Sequence, residues 1–592
     1  MILVILRRLG QRGWLRTAET DTMLAMTSLT AKTSRLFVTF ALGLCMSPDV
    51  SAQTPPPSPR PSTLAGRSAV YAPHGVIATS QPLATAAGLA VLQRGGNAID
   101  AAVTAAAVLN LVEPHMTGIG GDMFALIWSA KEHRLVALNA GGRSGAGMTR
   151  EALLGRGRTE VPIDGAEPIT VPGALSGWAA LLDRYGSITL AQALEPAIRL
   201  AEEGFPVSPI IARQWADEVE RLRKDEGARA TFLVDGVRAP KAGEWFRNPD
   251  LARSFREIAK GGPAVLYGGP LGQRIVDRVK ALGGFLTLDD LKAQRVEWVE
   301  PISVPFRGYR VWELPPNNQG VAALEMLRIL EHDDLAALGH NSVPYFHRLV
   351  ETKKLAFADL ARYIGDPRAM TTPASELLSD RFIAQRRARL DLARAAERQE
   401  PGAMASQSET IYLTAADAQG NMVSFINSLF EAFGSTVVVP GTGFALQDRG
   451  AGFTLEPGLP NTVAPGKRPF HTLIPGFVTR TTPKGEEPWM SFGVMGGSMQ
   501  PQGHLQLLLN LLVFGMDPQA AADAPRFRHF AGLRVGLESP IPDSIRAGLA
   551  AMGHEVEELP PGSAGGAQLI IRLARGYLAA SDPRKDGMAA GY

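Results

Sequence analysis

Hydrophobic residues follow two different rhythms along this chain. Residues 83–111 are dense in Ala, Leu and Val, with Gly95-Gly96-Asn97 in the middle. Glycine and asparagine accept the left-handed conformation that ends a helix, so the pattern predicts two packed helices joined by a tight turn. The second, from Ala98 onward, is apolar on nearly every face and is expected to be buried. The first ordered stretch is expected near Val70. Gly118 to Gly121 break the chain, and residues 124–128 and 135–139 read as a hairpin. Residues 176–300 read as helices with polar connections. Residues 343–363 and 377–398 read as further helices, the last with a basic face that is ordinary solvated surface. Residues 399–409 are polar and aperiodic, as in an exposed linker.

Beyond that linker the rhythm changes. Residues 410–416, 422–426 and 444–446 are short alternating or apolar runs separated by Gly-Asn and Pro-Gly turns, hence strands. Residues 489–494 read as another strand, followed by Gly496-Gly497 and a helix over 502–514. Residues 567–573 read as the strand that closes the set. The chain is therefore expected to be mainly α before the linker and mainly β with one long helix after it. No internal repeat is visible.

Composition narrows the function classes. At 592 residues the chain exceeds one ordinary core, so two lobes or one large layered domain is expected. Residues 1–52 hold six Arg/Lys and three Asp/Glu, and the remainder is nearly neutral. That leaves no electrostatic footprint for nucleic acid. Lys32 and Arg35 precede an apolar run over 36–44, and Val50-Ser51-Ala52 supplies small residues at a cleavage site. Residues 1–52 thus read as a secretory signal, and those before Met23 or Met26 as an upstream extension. An exported protein, periplasmic or extracellular, is expected. The sole cysteine, Cys45, lies within the signal, preceded by Leu44, a poor neighbour for lipidation; no stable membrane anchor is expected. Residues 53–69 read as a Pro-rich leader.

Several catalytic signatures are missing. There is no Gly-x-Ser-x-Gly elbow, since Ala146 stands where the final glycine would be, no His-Glu-x-x-His and no phosphate loop. The ten histidines show no clear cluster, so neither a metal nor another cofactor is expected. What remains is Thr410, opening a strand after a linker. If the Glu409–Thr410 bond is cut, the freed α-amine, with an ordinary pKa of about 7.7–8.0, can take the proton of the neighbouring hydroxyl. A β-branched residue starting a strand is the plainer alternative.

A series of motifs in fixed order gives Thr410 a context. They are Gly95-Gly96-Asn97-Ala98-Ile99-Asp100-Ala101-Ala102, Val171-Pro172-Gly173, Thr410, Asp417, Gly420-Asn421, Phe433-Gly434-Ser435, Pro465-Gly466-Lys467-Arg468-Pro469, Gly496-Gly497, Asp523-Ala524-Pro525-Arg526, Asp582-Pro583-Arg584 and Ala590-Gly591-Tyr592. From about Val70 to Tyr592 the sequence resembles the γ-glutamyltransferase family of N-terminal-nucleophile hydrolases. The resemblance implies an α+β fold, a four-layer αββα sandwich, made as one precursor and cleaved before Thr410. The large chain would end at Glu409, giving a large subunit over 70–409, and a small subunit would span 410–592, the two remaining associated. It implies Thr410 as nucleophile and the Gly496 and Gly497 N–H groups as an oxyanion hole, where two glycines are equally compatible with a tight turn. Thr414 and Ser428 match positions whose hydroxyls lie near the nucleophile, although each also suits an ordinary strand.

The match weakens where substrate is gripped. In the segment 446–453, Gly452 stands in place of an aspartate and Arg449 in place of an uncharged amide. Phe430 replaces an asparagine, and His471-Thr472 replace paired serines. Losing an acid and gaining Arg449 disfavours an ammonium and favours an acidic or neutral acyl group. Arg143 suits a carboxylate clamp or a pairing with a structural acid. His471 suits substrate contact or a structural role. The pattern is similar to the acylases and small-amide hydrolases grouped with γ-glutamyltransferases. The expected activity is an amidohydrolase with water or an amine as acceptor, acting on a small-molecule amide. A true γ-glutamyltransferase and a non-catalytic scaffold of the same fold are the alternatives.

Overall fold

The computed structural model describes residues 66–397, 409–483 and 485–592. The expected signal, the expected leader up to residue 65 and residues 398–408 of the expected linker lie outside the described residues. Two seven-stranded sheets dominate. Numbering their strands in chain order gives β1 Val70–Ala72, β2 Val76–Thr79, β3 Asp122–Ser129, β4 Arg134–Ala140, β5 Glu297–Val299, β6 Ile302–Phe306 and β7 Tyr309–Glu313. There follow β8 Glu409–Ala416, β9 Met422–Phe430, β10 Gly476–Thr482, β11 Gly485–Met495, β12 Gly566–Arg572, β13 Tyr577–Ser581 and β14 Met588–Gly591. One sheet runs β14-β2-β8-β9-β3-β4-β5 and the other β1-β13-β12-β11-β10-β7-β6.

Strand β8 shows why the chain stacks in layers. Successive side chains of a strand point to opposite faces. Ile411, Leu413 and Ala415 join the core beneath the helices α1 (Pro82–Gln93) and α2 (Ala98–Val112). Tyr412 and Ala416 face the second sheet, with Ile426 of β9 and Ile570 of β12. On its far side that sheet buries Val478, Met490 and Phe492 under α3 (Gly320–Leu330), α4 (Val343–Tyr363) and α5 (Met499–Leu512). The order is helices, sheet, sheet, helices: a four-layer αββα sandwich. Both sheets contain strands from before and after Thr410, and all described residues form one unit rather than two lobes. No helix among the described residues is long and apolar enough to cross a membrane.

The expected pair of helices is present. Asn97 caps α2 in a capping box with Asp100, and Gly95 takes φ +90 in the turn. Three expectations are corrected. Residues 377–398 do not form one helix: Ala374–Leu377 and Asp380–Arg387 are separate, and Asp391 then accepts from the N–H groups of Ala393 and Arg394, an Asx turn that competes with helix. Residues 444–446 form no strand, only an isolated bridge between Val438 and Ala445. Their apolar character reflects burial under the first helical layer. Residues 567–573 do not close the set, since β13 and β14 follow and β14 completes the edge beside β2.

Candidate active site

Thr410 sits at an irregularity in the β8–β9 ladder. Glu409 pairs with Phe430 and Ile411 with Asn427, so Ser428 and Leu429 together oppose the single residue Thr410. Such a bulge re-aims side chains. Here the fully buried Thr410 Oγ1 donates to Ser428 Oγ at 3.2 Å. Ser428 Oγ also accepts the Phe430 N–H at 2.8 Å and Arg449 Nη2 at 3.1 Å. A hydroxyl oxygen offers two lone pairs. Three donors crowd it, and the Thr410 proton has the longest of the three contacts.

Arg449 is the second centre of the site. It begins a short 3-10 turn, Arg449–Gly452, and is fully buried. Its Nη1 donates to Thr472 Oγ1 at 2.9 Å, and its guanidinium carbon lies 4.3 Å from the centre of the Phe430 ring. Among the described residues its Nε has no hydrogen-bond partner, and no carboxylate pairs with it directly. Burial pushes its pKa down to about 10, against the opposing influence of the Asp122, Asp448 and Glu431 charges. It remains cationic at neutral pH. Phe430 itself takes φ +89, a conformation foreign to bulky side chains.

Gly496 and Gly497 join β11 to α5 with φ values of +118 and +57. A Cβ on Gly496 would stand 3.1 Å from Gly565 Cα. Gln319 Nε2 donates to the carbonyls of both Gly497, at 2.8 Å, and Thr472, at 2.7 Å. One amide thus ties the glycine turn to the residue that holds Arg449.

The remaining residues singled out from sequence divide. His471 Nε2 contacts Asp122 Oδ2 at 3.1 Å, and its Nδ1 accepts the Leu473 N–H. Burial, helped by the Arg449 and Arg468 charges, lowers its pKa to about 3, so it is neutral and donates to Asp122. Both ring nitrogens are engaged within the protein, the structural role. Arg143 pairs with Asp366 at 3.0 Å and Glu297 at 2.8 Å, the structural-acid alternative rather than a clamp. Thr414 is corrected. Its hydroxyl contacts Ser491 Oγ at 2.5 Å and donates to the Val423 carbonyl at 2.9 Å, four residues along β8 from Thr410. Glu409 opens β8, its backbone paired with Phe430.

Sequence reasoning missed Asp122 and Gln319. Asp122 Oδ1 accepts from Gly142 N at 2.8 Å and Gly173 N at 3.0 Å, which folds Gly142 and the Val171-Pro172-Gly173 motif against the site. Their glycines were the available signal. A Cβ on Gly142 would lie 1.5 Å from the Val171 carbonyl and one on Gly173 1.9 Å from that of Ala140. Likewise Gly121 allows Ser428 to approach, its added Cβ falling 2.1 Å from the Ser428 carbonyl.

An αββα sandwich of this kind is the fold of the N-terminal-nucleophile hydrolases. Within that class the chain belongs to the gamma-glutamyltranspeptidase family, whose model matches residues 84–592. It is 39% identical over 521 residues to the glutathione hydrolase-like YwrD proenzyme of Bacillus subtilis, covering 86% of this chain and 97% of the relative. It is 36% identical over 535 residues to the oxamate amidohydrolase proenzyme of Klebsiella pneumoniae, covering 88% and 98%. The crystal structure of cephalosporin acylase from Bacillus halodurans superposes with a TM-score of 0.84 at 43% identity, covering 90% of this chain and 98% of that one. The protein is accordingly an enzyme of the gamma-glutamyltranspeptidase and acylase group of amidohydrolases.

Proposed function

We propose that the chain is an exported, self-processing amidohydrolase that uses Thr410 as its nucleophile and cleaves monoamides of short dicarboxylic acids. In processing, Thr410 Oγ attacks the Glu409 carbonyl, the peptide bond becomes an ester, and water hydrolyses it. The freed α-amine then accepts the hydroxyl proton as Oγ attacks a substrate amide. That proton passes to the leaving amine, the acyl group stays on Thr410, and water releases it as the acid. An amine in place of water gives acyl transfer. Gly496 and Gly497 are the candidates to face the developing oxyanion.

The observation that carries the reading is the Thr410–Ser428–Arg449 chain of contacts. A fully buried guanidinium bonded, among the described residues, only to neutral hydroxyls is costly to keep. A substrate carboxylate would complete it, two hydrogen-bond lengths from the nucleophile. That reach suits oxamic, succinyl or glutaryl amides, and the oxamate amidohydrolase relative favours the same class. An α-ammonium, as in γ-glutamyl substrates, would meet Arg449 with like charge. Purified wild type should run as two bands on a denaturing gel, the smaller beginning Thr-Ile-Tyr, and Thr410→Ala as one. A wild type that stays in one piece would overturn the proposal.

A further inference from the structure

Away from the candidate active site, two histidines and a glutamate meet in the interior. His347 and Glu351 stand one turn apart on α4, and His554 follows the helix Asp543–Ala551. All three are buried, and one ligand atom from each lies within 4.8 Å of the others. The sequence does not reveal this group, because His554 is 207 residues from His347.

The hydrogen bonds fix which nitrogens carry protons. His347 Nε2 donates to the Asp391 carbonyl at 2.9 Å, so its Nδ1 presents a lone pair to the cluster. His554 Nε2 stands 2.8 Å from that Nδ1 and is therefore the donor. His554 Nδ1, buried, has no hydrogen-bond partner among the described residues. An imidazole whose outer N–H is held by a backbone carbonyl is the usual support for a metal ligand. Glu351 gives Oε1 to Lys354 at 2.7 Å and Oε2 to the Ala396 N–H at 3.3 Å, and a carboxylate retains further lone pairs.

We propose that His347 Nδ1, His554 Nε2 and Glu351 form a site for a divalent cation of the zinc type. Two imidazoles and one carboxylate suit that metal class. With bonds of about 2.0–2.1 Å, tetrahedral ligand atoms lie about 3.4 Å apart, so the imidazoles must open slightly from their present contact. Binding moves the His554 proton from Nε2 to Nδ1, the nitrogen now without a partner, so both rings stay neutral. Water completes the coordination. Lys354 keeps Glu351 Oε1 and the Ala396 carbonyl, at 2.8 Å, and is a cation the metal must tolerate.

The site would join parts of the chain that precede and follow Thr410. His347, Glu351 and the Asp391 carbonyl come from before it, His554 from after it, and the Ala395 N–H also donates to the Met552 carbonyl at 2.8 Å. If the chain is cut before Thr410, as proposed above, the metal would staple the two products near the end of the larger. Binding itself does not depend on the cut, so Thr410→Ala precursor should bind equally.

The test is calorimetric titration of chelator-stripped full-length protein with zinc chloride, wild type beside His554→Gln and Glu351→Gln. One zinc per chain is expected, with a raised melting temperature. Each variant should lose more than the 10–100-fold in affinity that an outer-shell partner commands. Each should also melt as zinc-free wild type does. Wild type that takes up no zinc, or variants that bind it as wild type does, would overturn the assignment.

Discussion

Replacing Arg449 with methionine isolates acyl recognition from chemistry. The side chain keeps its length beside Phe430 and loses its charge. Removing one partner of a buried, hydrogen-bonded charge pair costs about 2–5 kcal/mol, which is roughly 30- to 5,000-fold in kcat/KM. That loss should fall on glutaryl p-nitroanilide and spare butyryl p-nitroanilide, which lacks the carboxylate. Stability should change little. Burial holds the Arg449 pKa at about 10, below the 12.5 of an exposed arginine. The unfolded chain therefore binds that proton more tightly, and the charge opposes folding at every pH below about 10, by on the order of 3 kcal/mol. The variant loses the bonds to Ser428 and Thr472 and the cation–π contact with Phe430 but also this penalty, so its melting temperature should stay close to wild type. In wild type the preference for the glutaryl substrate should fade as pH rises through about 10. If Arg449→Met lowers both substrates equally, or leaves the glutaryl-to-butyryl ratio within threefold of wild type, Arg449 does not bind the acyl carboxylate.

Two further outcomes are expected. Gly496→Ala places a Cβ 3.1 Å from Gly565 Cα at φ +118, which should cost about 1–3 kcal/mol in urea unfolding and lower kcat more than it raises KM; full turnover in the weakened variant would remove the oxyanion role. His115 is held neutral to about pH 3, first by burial and then by the Lys585 charge, whereas an unfolded histidine takes its proton near 6.5. Its contribution is present above pH 6.5 and lost as pH falls, so wild type should lose about 2–3 kcal/mol relative to His115→Gln between pH 6.5 and 4.5, and a difference independent of pH would refute this.

The layers were legible where local chemistry and burial agree. Asn97 and Asp100 cap α2 within four residues, and its apolar face needs no distant partner to be recognised. Thr410 and Ser428 were legible because adjacent strands bring them together across one turn. The site's organisation was not. Asp122 resembles any acid at the start of a strand until Gly142, Gly173 and His471 arrive, the last 349 residues away. Arg143 offers a clamp or an ion pair equally well, and only Asp366, 223 residues on, decides it. Residues 444–446 misled because an apolar run reports burial, not the conformation that is buried.

Phe430 and Arg449 behave as one change rather than two. The γ-glutamyl pattern has an asparagine at the first position and an uncharged amide at the second. Asparagine enters positive φ readily and phenylalanine does not, yet the backbone at 430 holds φ +89. The phenylalanine must therefore be retained by a contact that offsets about 1–3 kcal/mol of strain. The contact available is the Arg449 guanidinium over its ring at 4.3 Å, where a desolvated cation–π pair contributes about 2 kcal/mol. Ser428 cannot drift with them, since its hydroxyl meets Thr410 on a neighbouring strand and its carbonyl is pressed against Gly121. If Thr410 is the nucleophile proposed above, attack geometry is carried by two buried strands, and acyl choice by a loop and a strained strand end that can change without moving Thr410.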